Sequence, residues 1–198
     1  MIPSWTVFIA AGISLIGATT YIRKVLRGEA QPNRVTWIMW AVAPLTAFVI
    51  ELQEGVGLAS TMTFMVGAIP VAVLFASWKS KSAVWNLGFF DLVCGVLSVV
   101  GLITWLASDQ PTLGLMSQVI ADSVAALPTL RKSFLYPETE AQGPYITGTI
   151  NATITMLTLK EWTTAGVAFP LAIFTADILI WLFILTKVGR RFAKTPVE

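Results

Sequence analysis

Apolar residues fill seven stretches of the chain, and polar residues gather between these stretches rather than along them. The stretches are 3–22, 35–50, 57–78, 84–106, 112–130, 143–159 and 164–186. Most are long enough, at ~1.5 Å of rise per residue, to cross the roughly 30 Å hydrocarbon core of a bilayer as helices. The second and sixth are short. Turn-forming residues stand where the hydropathy breaks: Gly28, Gln31-Pro32-Asn33, Asp109-Gln110-Pro111 and Tyr136-Pro137. The pattern predicts an all-α integral membrane protein with seven transmembrane helices. Arg23, Lys24 and Arg27 follow the first stretch instead of preceding it, the reverse of a cleavable signal, so that stretch is expected to remain as a span.

Composition agrees and narrows the chemistry. Of 198 residues, 56% are hydrophobic and only 12% charged, and mean hydropathy is +0.75. A chain with about half the usual charge content has more apolar surface than one small core hides, so lipid is the expected solvent for much of it. There is no histidine, and Cys94 is the single cysteine. Side chains alone therefore build neither a zinc site nor a Ser-His-Asp or Cys-His nucleophile, and no disulfide forms within the chain. No phosphate-binding loop is present. The expectation is a non-enzyme with no catalytic residues, no metal and no cofactor.

Charge placement predicts orientation. Arg23, Lys24, Arg27, Arg34, Lys79, Lys81, Arg131, Lys132, Lys187, Arg190, Arg191 and Lys194 fall on one side of a seven-span arrangement, and only Lys160 on the other. Lys and Arg concentrate in cytoplasmic loops, so the basic side is expected to be cytoplasmic, with the N-terminus outside a cell (inner) membrane and the C-terminus inside. These residues read as anchors at lipid headgroups, not as nucleic-acid contacts.

An internal repeat is legible. Ala18-Thr19-Thr20-Tyr21-Ile22-Arg23-Lys24 lies on Ala126-Leu127-Pro128-Thr129-Leu130-Arg131-Lys132 at a constant offset that matches Ala18, Arg23 and Lys24 and sets Trp37 on Tyr145. Spans one to three then fall on spans five to seven. Three spans per unit is odd, so a fourth span is needed for both units to face the same way. The division is 1–83 as the first three-helix repeat, 84–110 as a linking helix and 111–198 as the second repeat with a basic tail.

This 3+1+3 pseudo-repeat, Pro128 near the basic end of a repeat's first helix, and Gln31-Pro32-Asn33-Arg34-Val35-Thr36-Trp37 leading into the second span together resemble the SWEET and PQ-loop superfamily of small seven-helix transporters, in particular its prokaryotic members. The chain has Pro-Thr where that superfamily usually has Pro-Gln, and Thr20 in place of the first repeat's proline. The resemblance implies a transporter of a small, sugar-like polar solute, with a midplane site between the repeats and alternating access.

Candidate site residues are polar groups that hydrocarbon penalises. Asp122 and Asp177 fall near mid-span with no Lys or Arg at their depth, the profile of a proton carrier or of a partner for a substrate hydroxyl. Asp91, in the fourth stretch, is shallower and reads as structural, and Asn86 as a helix cap. Trp37 and Trp40 share a helix face and suit either a solute pocket or the interfacial belt, with Trp40 a turn deeper. Trp5, Trp78, Trp105 and Trp162 stand at span ends as belt residues. Tyr145, by its match to Trp37, and Asn151, amid Thr147, Thr149 and Thr153, complete the expected lining. In the resembled family, midplane Asn and aromatic residues contact the sugar. Pro44, Pro70, Pro128 and Pro170 are candidate hinges, while Gly12, Gly67, Gly95 and Gly101 permit close helix approach.

Other readings are weighed against this one. A retinal receptor needs a lysine in the middle of the last span, but Lys187 follows its end. An intramembrane aspartyl protease would place its acids after Gly-x-Gly, whereas Ile120-Ala121 and Thr175-Ala176 precede them. A non-transporting lipid-organising or assembly factor and a vitamin- or nucleoside-type carrier stay open. Expected partners are the bilayer and a small-molecule solute. A homo-oligomer is compatible with the sequence, which fixes no copy number.

Overall fold

Seven α-helices account for nearly all of the computed structural model, which describes residues 5–53, 60–80, 85–109, 111–159 and 161–192 and contains no strand among them. The helices are α1 (Thr6–Leu26), α2 (Arg34–Gln53), α3 (Ser60–Lys79), α4 (Phe89–Leu106), α5 (Pro111–Leu135), α6 (Gly143–Thr158) and α7 (Thr164–Thr186). Pro3, Lys81, Gln110, Lys160 and Lys194, and the expected starts of the third and fourth spans, lie outside the described residues.

Three boundaries differ instructively from the hydropathy. Helices α1 and α5 run on past their apolar stretches to Leu26 and Leu135, so Arg23, Lys24, Arg131 and Lys132 are helical. Helix α4 starts only at Phe89, after a non-helical 85–88. Asp91 is therefore in the first turn of the helix and not deep within it. Its carboxylate accepts from the Gly88 N–H (2.7 Å) and from Asn33 Nδ2 (3.1 Å), tying α4 to the residue before α2. Asn86 is exposed and outside the helix; Gly88 takes the capping position expected for it. Asn33 in turn caps α2, its Oδ1 accepting from the Val35 N–H at 3.1 Å. Arg34 donates to the Ser77 carbonyl (3.2 Å) at the end of α3, where a cation meets the negative end of the helix dipole.

Helix neighbours follow one order in both halves of the chain. Helix α3 packs on α1 and α2, and α7 packs on α5 and α6. The two triplets meet where α1 lies on α6 and where α2 lies on α5. Under the sequence offset these are the same contact read in the two directions. Helix α4 stands against α5 and α2, outside the ring so formed.

Residue size is distributed from small inside to large outside. Half of the buried hydrophobic residues are alanines, among them Ala121, Ala125 and Ala126 of α5. The closest crossing joins α1 to α6, where a side-chain carbon on Gly17 would stand 2.8 Å from the Gly143 carbonyl, and one on Gly143 the same distance from the Gly17 carbonyl. Gly67, Gly95 and Gly101 likewise face Leu45, Val35 and Ala121, whereas Gly12 has open space beside it. Phe89, Leu92, Val96, Leu97, Val100 and Ile103 of α4 all point outward, Phe89 at 85% exposure. Close small-residue packing within and bulky apolar residues without is how helices associate in lipid. Among the described residues, three helical segments are long and apolar enough to cross a membrane: Phe8–Leu26, Phe89–Leu106 and Val167–Thr186.

Candidate functional site

A cavity of about 400 Å³ lies between the two triplets. Helices α1, α2 and α3 contribute Ser14, Trp37, Trp40, Pro44 and Pro70 to its wall; α5, α6 and α7 contribute Asp122, Tyr145, Asn151, Pro170 and Asp177. The structure thus brings together all six expected lining residues, Trp37, Trp40, Tyr145, Asn151, Asp122 and Asp177. Three of the four candidate hinge prolines, Pro44, Pro70 and Pro170, line the cavity too. Pro128 is fully buried elsewhere, beside Thr129, whose hydroxyl donates to Thr36 (3.0 Å) where α5 crosses α2.

The aromatic side of the cavity is a packed layer. Trp37 is buried, its ring 5.1 Å from that of Tyr21 and 5.6 Å from that of Trp40. The two indoles meet at 77°, so they form a corner and not a parallel slot. The Trp40 Nε1–H is buried and without a hydrogen-bond partner among the described residues. Of the expected belt residues, Trp5, Trp78 and Trp162 are exposed, and Trp105 is half-buried against the cluster of Met39, Ala43, Leu102 and Ala125.

On the polar side, Asn151 Nδ2 donates to Ser14 Oγ at 3.2 Å, bridging α6 to α1. Asp122 and Asp177 both line the cavity and have no hydrogen bond or ion pair among the described residues. Asp177 is 8% exposed and lies over Gly148: a side-chain carbon there would collide with the Asp177 carboxyl. The glycine makes room for the acid.

Below the aromatic layer is a site that the sequence reading missed. Lys132 and Glu140 form an ion pair at 2.7 Å with side chains 1% and 0% exposed. Lys132 Nζ also donates to the carbonyls of Gln31 and Thr139, and stands 5.1 Å from the Trp85 ring centre. Glu140 Oε2 accepts from the Tyr21 hydroxyl (2.9 Å) and the Tyr145 hydroxyl (3.1 Å). Lys132 is therefore no headgroup anchor. It continues the buried face of Ala121, Ala125 and Thr129 at helical spacing, and that periodicity was the available signal. Through Tyr145, one residue both lines the cavity and reaches the ion pair.

Comparison with protein families, with curated proteins and with solved structures returns no match.

Proposed function

We propose that this chain is a seven-span carrier of a small polar solute, working by alternating access between its two three-helix units in a cell (inner) membrane. The observation that carries the reading is the cavity. At about 400 Å³ it is near the small end of the roughly 300–1,000 Å³ usual for ligand pockets, sized for one metabolite. It is walled by both triplets, so a rocking of one against the other would open it to either side. The matched helix contacts of the two halves support the 3+1+3 reading and the resemblance to the SWEET and PQ-loop superfamily. The outward bulky residues support the membrane reading for helices beyond the three most apolar. Helix α6 is 16 residues long, and α5 and α6 bring the polar groups Asp122 and Asn151 to the cavity wall. In this reading the basic end is cytoplasmic and the N-terminus outside.

A thermal-shift screen of the purified protein against sugars, nucleosides, vitamins and amino acids tests it. A ligand that binds only the folded state at a hundredfold excess over its Kd adds about 2.7 kcal/mol of stability. The expected result is a stabilising solute whose effect disappears in Trp40→Ala. Silence across every class would favour a lipid-organising or assembly role.

A further inference from the structure

The polar lining of the cavity is unbalanced in charge. It includes two carboxyl groups, and among the described residues neither lysine nor arginine walls it. Asp177 is more than nine-tenths buried and has no partner among the described residues, and Asp122 lines the same cavity. A carboxyl group in a low-dielectric site keeps its proton or pairs with a cation, and a site that holds two favours one of each, which leaves one negative charge to balance. The nearby buried cation cannot balance it, because Lys132 is already paired with Glu140 and bonded to two carbonyls. A neutral sugar would bring hydroxyls but no charge. The aromatic walls supply the second, independent observation. Trp37, Trp40 and Tyr145 line the same cavity, and an ammonium group is attracted to the face of an aromatic ring.

We propose that the solute is an organic cation of metabolite size, an amine or quaternary ammonium held by Asp122 and Asp177 within the corner formed by Trp37 and Trp40. This rests on the transport reading of the same cavity and names its substrate class. The cation completes the charge of the site, while the unpartnered Trp40 N–H suits an oxygen elsewhere on the same molecule.

The test compares probes of equal shape and unequal charge. Choline and its neutral carbon isostere, 3,3-dimethylbutan-1-ol, form one pair; agmatine and putrescine extend the cations, and glucose serves as a neutral polar control. Binding to the purified full-length protein is read by calorimetry and thermal shift in a sodium-free and potassium-free buffer. At least one organic cation is expected to stabilise the protein and to bind at least ~10-fold more tightly than a neutral counterpart. That preference is expected to vanish in the Asp122→Asn/Asp177→Asn double variant and to be weakened in Trp40→Ala. Equal binding of cations and neutral isosteres to the wild-type protein overturns the proposal and requires no variant to fold. So does a preference that survives in the folded double variant, or a shift that sodium or potassium alone reproduces. Stabilisation by glucose with no response to any cation overturns the cation but leaves the carrier standing. No response to any solute overturns both.

Discussion

Single residues set the energetics of the site. Lys132→Met would leave Glu140 buried with two tyrosine donors and no cation, and breaking such a pair costs about 3–5 kcal/mol. The double variant Lys132→Met/Glu140→Gln should recover much of that loss, because a neutral amide oxygen still accepts from Tyr21 and Tyr145. Denaturant unfolding in detergent measures the cycle, and additive losses would show that the pair is not coupled. Gly148→Ala places a methyl on the Asp177 carboxyl, so solute affinity should fall about tenfold with the fold retained, as read by calorimetry and size exclusion. Asp122 and Asp177 were legible as candidates because an acid within an apolar run is conspicuous. Lys132 was not, since Arg131-Lys132 repeats Arg23-Lys24 while the two lysines meet different fates. Lys24 is exposed, whereas Lys132 faces a glutamate that the first repeat replaces with Pro32.

Hydropathy located the helices well where a polar turn and an apolar boundary coincide. Helices α6 and α7 start at Gly143 and Thr164, where the apolar stretches start. The agreement fails where a helix outlasts its apolar run, as in α5, or where an apolar run begins before its cap, as at Gly88. Proline offers the functional test at this scale. Pro44, Pro70 and Pro170 each interrupt a different helix and each lies on the cavity wall. A proline within a helix removes one backbone hydrogen bond and permits bending at that turn. Pro44→Ala and Pro170→Ala are therefore expected to slow solute exchange several-fold while leaving affinity within about twofold, a split read from flux and binding on the same preparation. Unchanged flux would assign these prolines a static role.

The molecule as a whole reverses the usual gradient of residue size, with alanine and glycine at the helix crossings and phenylalanine, leucine and valine on the perimeter. Composition alone announced the excess of apolar surface, but which face of each helix turned inward depended on contacts between distant parts of the chain. The pairing of α1 with α6 and α2 with α5 is one such case. Because the single cysteine, Cys94, is buried, cysteines introduced one at a time at exposed positions report topology cleanly. Val188→Cys at the basic end should react with an impermeant maleimide only from the cytoplasmic side, and Trp162→Cys only from the outside. The most direct test of a carrier is exchange in proteoliposomes, using a labelled solute identified by the binding screens. A carrier gives saturable uptake driven by unlabelled solute trapped inside, abolished by Trp40→Ala and by the double substitution of Asp122 and Asp177 to asparagine. Tight binding with no exchange above empty vesicles would contradict it, leaving a solute-binding membrane protein that does not transport.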